Sequence, residues 1–372
     1  ENFLIFMLFP FIALQDKQVQ WQESILEMPY EKSEFALSKY PFSFKYANKH
    51  CDSILHTWNK ESKIEKIDTD RQKIITTWLD QGTSLKLTFE AIQFFDYPAI
   101  EWILYFENIG NSDTPIIQDV QSLDLTFDSP PYILHKTNGS PANPTDFEVK
   151  KVVIDKDHSE NIEAGGGRSS NKDFPFYKIE TSTGSYIIAV GWSGQWVSEF
   201  KCSDNKHLHI TAGLEKTHFL LHPGEKVRSP RMLIMFYDGD TAESNALFRQ
   251  LIYKHYTATR DGRKIEPILF CNTCFTRGGG WLNECNAENQ ISLIKAYAPL
   301  GLEALITDAG WFEGGWPAGA GNWTPRKDAY PEGMAPVAKS AKDNGMIYGL
   351  WFEPERVVAG TWIHKNHPEW LL

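Results

Sequence analysis

Cysteine is scarce in this sequence, and its copies are odd in number. The 372 residues include only Cys51, Cys202, Cys271, Cys274 and Cys285. An odd, widely spaced set does not indicate a disulfide framework. Cys271 and Cys274 form a CxxC motif, but neither a second CxxC nor a histidine pair follows at zinc-ligand spacing. We therefore interpret the cysteines as packing thiols and expect neither a metal ion nor another cofactor.

The sequence also lacks a hydrophobic run that could cross a membrane, which takes about 20 apolar residues. The apolar run at residues 3–14 (FLIFMLFPFIAL) is shorter and contains Pro10. Its length fits the central part of an export signal, although no basic residues precede it. We expect residues 1–17 to belong to a clipped signal segment, and the protein to be periplasmic or extracellular. If the run is a buried strand instead, we expect a cytoplasmic protein.

Positive charge is in deficit, because 37 Lys and Arg stand against 48 Asp and Glu, a net charge of −11. This balance does not suit nucleic acid or an anionic membrane as the main partner, and we expect neither. The glycine-rich runs at residues 165–167 and 278–280 fit neither GxGxxG nor GxxxxGK[ST]. A nucleotide-binding α/β enzyme is therefore disfavoured.

Aromatic residues, in contrast, are abundant, with 13 Trp, 14 Tyr and 23 Phe making up 13% of the chain. Aromatic rings stack on the C–H faces of sugar rings, so this content is typical of carbohydrate-binding proteins. It is also typical of folds rich in β-strands, where aromatic side chains are favoured. Composition alone leaves both interpretations open.

Residues 18–240 are expected to form a large β-sandwich, because short runs of β-branched and aromatic residues alternate with turn signals. These runs include 73–78 (KIITTW), 84–89 (SLKLTF), 100–106 (IEWILYF) and 185–190 (SYIIAV). The pattern changes at residues 241–264, where apolar residues recur at helical spacing before a polar, basic stretch. We interpret this segment as a helical linker between two domains.

From residue 265 onward, predicted strands alternate with predicted helices, which indicates a parallel sheet. The strands are expected at 267–272, 302–308 and 346–352, and the helices at 288–300 and 333–344. Polar or aromatic residues follow each strand, where a (β/α)8 barrel carries its active site. Eight strands need roughly 200 to 250 residues. We therefore expect 265–372 to hold the first three strands of a truncated TIM barrel, with a smaller α/β domain as the alternative.

Several motifs are specific enough to compare with a known family. In the α/β part they are 308–312 (DAGWF), 321–323 (GNW), 330–334 (YPEGM), 349–357 (GLWFEPERV) and 367–370 (HPEW). In the β part they are 167–170 (GRSS), 192–196 (WSGQW) and 221–225 (LHPGE). Together they resemble the α-galactosidases of glycoside hydrolase family 36. The resemblance implies a multidomain fold, an N-terminal β-supersandwich followed by a (β/α)8 barrel.

The resemblance also implies a retaining hydrolase that removes terminal α-galactosyl residues from oligosaccharides without a metal. Retention uses two carboxylates about 5 Å apart, one as nucleophile and one as general acid/base. In the family the nucleophile belongs to a Lys-x-Asp motif on the fourth barrel strand, and the acid/base residue lies later. Both are expected beyond Leu372, so we assign no catalytic residue and expect this chain alone to hydrolyse nothing.

One wall of the sugar pocket is implied by the same resemblance. Asp308 matches the first Asp of an Asp-Asp-Gly-Trp motif and is expected to accept hydrogen bonds from sugar hydroxyls. Ala309 stands where the family has the second Asp, which puts strict galactose specificity in doubt. Asn272 is retained from an Asn-Asn-Trp-Glu type motif, whereas Cys274 occupies its Trp position.

Three tryptophans are candidates for this wall. Trp351 is expected to form an apolar surface against the sugar, with core packing as the alternative. Trp311 and Trp323 are weaker candidates, because either could simply pack a loop.

The sequence near residue 353 contains two carboxylates that could be mistaken for a catalytic pair. Glu353 and Glu355 would share one face of an extended strand, but Pro354 between them indicates a turn. We interpret Glu353 and Glu355, together with Arg356, as scaffolding of the pocket.

Three functional hypotheses remain at this point. The chain is part of an α-galactosidase, part of an α-glycosidase for a different sugar, or a carbohydrate-binding protein without catalysis. A Lys-x-Asp motif after the next strand would support hydrolysis. In each case the expected partner is an oligosaccharide or glycoside, and the resemblance is compatible with a homo-oligomer.

Overall fold

A computed structural model describes residues 16–27, 39–204, 206–239, 241–275 and 282–371. Residues 1–15 of the predicted signal segment and the glycine run at 278–280 lie outside these residues. The chain divides into two compact units, Glu1–Thr257 and Ala258–Leu372. The predicted linker, 241–264, straddles this division.

The first unit consists mainly of antiparallel strands. Numbered in chain order, they are β1 (Ser43–Tyr46), β2 (Lys49–His50), β3 (Asn59–Lys66), β4 (Arg71–Leu79), β5 (Leu85–Phe94), β6 (Ala99–Asn108), β7 (Ile117–Phe127), β8 (Tyr132–Thr137), β9 (Val149–Ile154), β10 (His158–Glu163), β11 (Phe176–Thr181), β12 (Gly184–Gly191), β13 (Val197–Cys202), β14 (Leu208–Gly213), β15 (His218–Phe219), β16 (Lys226–Arg228) and β17 (Arg231–Tyr237). One sheet has seven strands in the order β10-β13-β14-β7-β1-β2, with β15 paired to β7. The other has ten in the order β3-β4-β5-β6-β17-β12-β11-β8-β9, with β16 paired to β6.

The two sheets share one hydrophobic core, so the unit is a β-sandwich. In β5, every second side chain from Leu85 to Ala91 is fully buried, and the intervening ones are partly exposed. Across the sandwich, Phe44 of β1 packs edge-on against Phe106 of β6, with ring centroids 5.2 Å apart. Many of the aromatic residues serve this core, including Trp78, Trp102 and Trp196, each at most 1% exposed.

An α-helix, α1 (Asp16–Leu26), lies in the segment where only strands were expected. Trp21 and Ile25 are four residues apart, share one face of the helix, and are buried in the sandwich core. Gln22 is 1% exposed, and its Nε2 donates to the backbone carbonyls of Phe94, Tyr97 and Ala99 at 2.8, 3.1 and 2.8 Å. These contacts, rather than helix propensity, hold the helix in place, which is why its sequence does not reveal it. No helix in the part of the chain that the structure describes is long and apolar enough to span a membrane.

A second helix, α2 (Thr241–Leu251), covers the outer face of the ten-stranded sheet. Its Leu247, Phe248 and Leu251 are buried against apolar residues of that face, which include Ala99, Ile187 and Leu233. Because α2 packs on the sheet, it is counted with the first unit rather than as an independent linker.

One turn of π-helix, Ile252–Tyr256, follows α2 and is fixed by ion pairs. Lys254 Nζ and His255 Nε2 lie 2.7 and 2.9 Å from the same oxygen of Asp96, Oδ2. Lys254 Nζ also lies 2.8 Å from Asp70 Oδ2. These contacts hold the end of the first unit against the sandwich.

The second unit begins with the hairpin β18 (Thr259–Arg260) and β19 (Arg263–Lys264) and continues with a parallel sheet. The sheet contains β20 (Phe270–Asn272), β21 (Ala304–Thr307) and β22 (Ile347–Leu350) in that order. The helices are α3 (Ala287–Tyr297), α4 (Ala335–Asp343) and α5 (Trp362–Asn366). The strands are shorter than expected, but strand and helix alternate as expected. Their assignment to a (β/α)8 barrel stays a prediction.

Local sequence explains where the helices of this unit begin. A capping box starts α3, because Asn286 and Asn289 exchange side chain-to-backbone hydrogen bonds of 2.9 and 3.1 Å. A proline in the first turn starts α4. Ile294 of α3, Leu305 of β21 and Val337 of α4 are each fully buried in one cluster, so both helices pack against the sheet.

Candidate functional site

The carboxyl ends of β20 and β21 bring two of the predicted site residues together. Asn272 is the last residue of β20, and Asp308 directly follows β21, its parallel neighbour. Asn272 Nδ2 donates to Asp308 Oδ2 at 2.7 Å. Asp308 Oδ1 accepts from the backbone N–H of Ala309 at 2.7 Å. Each carboxylate oxygen can accept more than one hydrogen bond, and the side chain is only half-buried, so Asp308 can take further donors.

Buried hydroxyl groups support the backbone of Asp308. Thr273 Oγ1 accepts from the Asp308 N–H at 3.0 Å. The hydroxyl of Thr307, the preceding residue, lies 2.6 Å from the hydroxyl of Tyr348 and donates to Gln290 Oε1. Thr273, Thr307 and Gln290 are each 0% exposed, so these bonds form away from water, where they are strongest.

The same network continues into the loop before α4. Gln290 Nε2 donates to the hydroxyl of Tyr330 at 2.6 Å. Burial raises the pKa of both Tyr330 and Tyr348, so both hydroxyls stay protonated. Polar networks that are satisfied in this way make a core rigid. The network therefore links α3 and β22 to the strand that presents Asp308.

Four aromatic side chains gather beside these strand ends. Trp311 Nε1 donates to the Trp351 carbonyl at 3.0 Å, and Trp311 is 2% exposed. Trp323 lies between Trp351 and Phe352, with ring centroids 6.4 and 5.4 Å away. Trp323 and Trp351 are partly exposed, and Phe352 is half exposed. Trp323 and Trp351 thus offer surface to a ligand, whereas Trp311 packs within the cluster; their sugar contacts stay predictions.

The predicted scaffold residues differ in what they contact. Glu353 Oε2 accepts from Arg356 at 2.6 Å and from Trp316 Nε1 at 3.3 Å. The Arg356 guanidinium also lies 5.6 Å from the Trp316 ring centroid. Glu355 is exposed and, within the described part of the chain, forms no hydrogen bond or ion pair. Of the three predicted scaffold residues, only Glu353 and Arg356 therefore form an ion pair. Both contact Trp316 and hold its loop.

The departures from the family motifs lie within the same site. Ala309 is 2% exposed, so its position offers neither a carboxylate nor space to solvent. Gly310 has φ +92°, and a Cβ there would lie 2.7 Å from the backbone nitrogen of Asn283, so the turn after Asp308 requires glycine. The Cys274 N–H donates to Asn272 Oδ1 at 2.8 Å, which turns the Asn272 amide towards Asp308.

One group of residues in the first unit has the donor types of a metal site. His50, Cys51 and Asp52 place one potential ligand atom each within 4.8 Å of one another. However, burial raises the pKa of the Cys51 thiol to about 12, and His50 Nδ1 already accepts from the Asp52 N–H at 3.3 Å. The geometry is that of a capped turn, and we assign no metal to it. All five cysteines are free thiols.

Sequence reasoning missed Gln290, Tyr348, Trp316 and Phe352. A polar Tyr348 inside an apolar strand was a signal for a buried hydrogen bond, because an unpaired hydroxyl there is costly. Gln290 gave no such signal, since its helix is mixed in polarity and its burial depends on packing against the sheet.

Comparison with known proteins shows that the chain is similar to glycoside hydrolases. Residues 226–372 match the family model described as Melibiase. The α-galactosidase Mel36A of Lactobacillus acidophilus is 24% identical over 334 residues, covering 85% of this chain and 43% of the relative. The α-galactosidase AgaA of Geobacillus stearothermophilus is 22% identical over 303 residues, covering 79% of this chain and 40% of the relative.

Solved structures share the fold over nearly the whole chain. The α-galactosidase of Lactobacillus brevis superposes with a TM-score of 0.75 at 18% identity, covering 91% of this chain and 48% of that protein. Family 36 AgaA from Geobacillus stearothermophilus, in complex with stachyose, gives 0.71 at 17% identity, covering 92% and 49%. The resemblance to glycoside hydrolase family 36 is therefore confirmed, and the chain spans less than half the length of these relatives.

Proposed function

We propose that this chain is part of a retaining α-galactosidase and supplies one wall of its galactose pocket. The observation that carries the proposal is the hydrogen bond between Asn272 and Asp308 at the meeting strand ends, where Asp308 matches the first Asp of the family's Asp-Asp-Gly-Trp motif. We further propose that β20, β21 and β22 are the first three strands of a (β/α)8 barrel. Three parallel strands with helices between them, and polar residues at their carboxyl ends, support this assignment.

Asp308 has the chemistry to orient a sugar. Within the described part of the chain, each of its two oxygens is held by one donor, so the carboxylate is fixed in direction and keeps lone pairs for further donors. Sugar hydroxyls donate well to such a carboxylate, and hydrogen bonds to a charged acceptor are stronger than neutral ones. Asp308 therefore acts in binding and orientation, and the reaction itself needs two further carboxylates about 5 Å apart.

The substrate is proposed to be an oligosaccharide that ends in an α-linked sugar. One structural relative, AgaA, was solved with stachyose and with raffinose as two variants, which supports this class of ligand. Ala309 removes one acceptor, so an α-glycoside with a different hydroxyl pattern is the second candidate. A homo-oligomer is proposed only from the family resemblance.

The decisive experiment is to express the full open reading frame and assay its product on para-nitrophenyl glycosides, the α-galactoside first. We expect hydrolysis of the α-galactoside, and a loss of at least tenfold in kcat/KM in Asp308→Asn. Asp343→Asn is the matched control, because Asp343 is exposed on α4 and pairs with Lys339.

Three outcomes would change the proposal. Activity on another α-glycoside alone would assign a different sugar to the pocket. Sugar binding without any hydrolysis would make the protein a carbohydrate-binding module. Heat-labile hydrolysis by the purified 372-residue chain would contradict the expectation that this chain contains neither catalytic carboxylate.

A further inference from the structure

We propose that the outer face of the ten-stranded sheet carries a second ligand site, which binds a small organic monocarboxylate with an apolar ring. The site is a cavity of about 530 Å³, a volume suited to small molecules. All residues that line it belong to the first compact unit, whereas Asp308 belongs to the second.

Strand register places two arginines on the face of the sheet that lines this cavity. Arg228 of β16 lies opposite Tyr105 of β6, and Arg231 of β17 lies opposite Gly191 of β12. Directly paired residues project to the same face of a sheet, and glycine has no side chain to occupy the space beside Arg231. A Cβ at Gly191 would lie 3.0 Å from the Arg231 Cβ, so this glycine leaves room for the arginine.

The rest of the cavity is apolar. Ile103, Ala189 and Leu233 form a floor in which each residue is at most 7% exposed. Ile252 and Tyr256, from the π-helical turn after α2, form a side wall. We expect a flat apolar ring to bind between this wall and the floor, because burying apolar surface there is favourable.

The charges of the cavity do not cancel. Glu101 is 5% exposed, and one of its oxygens accepts the Tyr256 hydroxyl and lies 3.5 Å from Arg231 Nη1. Burial and this carboxylate raise the pKa of Tyr256, so the hydroxyl remains a donor. Glu101 therefore neutralises one arginine, Arg231.

Arg228 is the charge that remains. It is exposed and, within the described part of the chain, it forms no ion pair. Its guanidinium lies 4.9 Å from the ring centroid of Trp192, and its hydrogen bond to the Ser229 carbonyl is long, at 3.4 Å. Stacking on Trp192 holds the guanidinium without using its donors fully. One uncompensated positive charge beside an apolar floor matches a monoanion with an apolar ring.

The test is equilibrium binding to the full-length protein, measured by calorimetry and by intrinsic tryptophan fluorescence. The probes are benzoate, its neutral analogue benzyl alcohol, acetate and inorganic phosphate. We expect benzoate to bind at least tenfold more tightly than each of the other three. Benzyl alcohol lacks the charge, acetate lacks the ring, and phosphate carries more charge than the cavity leaves unpaired.

Variants identify the site. Arg228→Gln should weaken benzoate binding at least fivefold and leave benzyl alcohol unaffected. Ala189→Leu should abolish binding of both by filling the floor. Lys201→Gln is the control, since Lys201 is an exposed cation on β13 that pairs with Glu199. Thermal unfolding of each variant shows whether the fold is kept.

Clear results would overturn the proposal. Equal affinities for benzoate and benzyl alcohol would show that the carboxylate charge does not contribute to binding. Unchanged benzoate affinity in Arg228→Gln would show that benzoate does not bind at this cavity. No saturable benzoate binding at all would contradict the proposed site. Competition by galactose would mean that benzoate binds at the Asp308 strand ends instead, whereas failure of the α-galactosidase proposal alone would leave these measurements unaffected.

Discussion

The side-chain amide of Asn272 donates a 2.7 Å hydrogen bond to the carboxylate of Asp308, which joins the ends of two neighbouring strands. The other end of the same amide, Oδ1, accepts the Cys274 N–H at 2.8 Å. Asn272 is thus fixed on both sides, and it fixes the direction of the carboxylate in turn. This makes Asn272 a positioning residue for Asp308.

Replacing Asn272 by alanine should therefore impair substrate binding more than stability. A hydrogen bond to a charged group contributes about 1.5–3 kcal/mol, so we expect roughly a tenfold or larger rise in KM. The measurement is KM for the α-galactoside in the full-length protein. Asn366→Ala is the control, because among the described residues the Asn366 amide bonds the Trp362 carbonyl within α5 and no other group. An unchanged KM in Asn272→Ala would contradict the positioning role.

Asn272→Asp tests the same contact by charge. It places a second carboxylate at hydrogen-bond distance from Asp308, and two like charges at that distance cannot both ionise easily. We expect the KM of Asn272→Asp at pH 7 to be higher than that of Asn272→Ala. The difference should narrow in acid, because one of the two carboxyls then carries a proton. A pH profile of KM for the two variants, measured side by side, decides the point.

Much of this site follows from the sequence, because strand ends in a parallel sheet meet at one edge. That rule places Asn272 and Asp308 at the same edge from their sequence positions alone. The rule could not predict that Gln290 belongs to the site, because the position of Gln290 depends on how α3 packs against β21. The sequence also made Trp311 and Trp323 equally strong candidates for sugar contact. In the structure Trp311 is buried and Trp323 is partly exposed.

In the fold, too, some elements could be predicted from the sequence and others could not. Runs of β-branched and aromatic residues predicted β5 and β12. In β5 the buried residues alternate, because one face packs on the core, whereas β12 is buried continuously from Ser185 to Val190. The helix α1 was missed because a few buried side chains, rather than a long amphipathic pattern, attach it to the sandwich. Packing between segments that are distant in the chain cannot be predicted from a local sequence pattern.

Gln22 should be the main polar anchor of α1. Its alanine variant leaves three buried carbonyls, those of Phe94, Tyr97 and Ala99, without this donor. We expect a loss of about 1–3 kcal/mol in the free energy of unfolding, measured by urea titration with tryptophan fluorescence. Gln20→Ala, at an exposed position of the same helix, should change it by less than about 0.5 kcal/mol. Equal effects of the two variants would mean that the carbonyls find other donors.

Gln290 should link stability and function in the second unit. Alanine at this position removes bonds to Thr307 and Tyr330 and leaves their hydroxyls buried. We expect a loss of about 2–3 kcal/mol in stability and a higher KM, because Thr307 directly precedes Asp308. Ser292→Ala on the exposed face of α3 is the control for both measurements. Lower stability with an unchanged KM would show that the network does not reach the site.

Asp96 should make the stability of the first unit depend on pH. Burial alone would raise the pKa of Asp96, but hydrogen bonds from His255 and Lys254 outweigh it and hold the pKa below its ordinary value of 3.8. A carboxyl with a depressed pKa in the folded state stabilises the fold fully above its unfolded pKa, and this contribution is lost as pH falls through the folded pKa.

Asp96→Asn should therefore destabilise the protein by about 1.5–3 kcal/mol at pH 7, and by progressively less as the pH falls below 3.8. Chemical unfolding at a series of pH values from neutral downward measures the difference. Asp119→Asn is the control, because the Lys45–Asp119 pair is exposed and such pairs contribute only about 0–1 kcal/mol. A difference between wild type and Asp96→Asn that stays constant into acid would show that the Asp96 charge does not hold the π-helical turn.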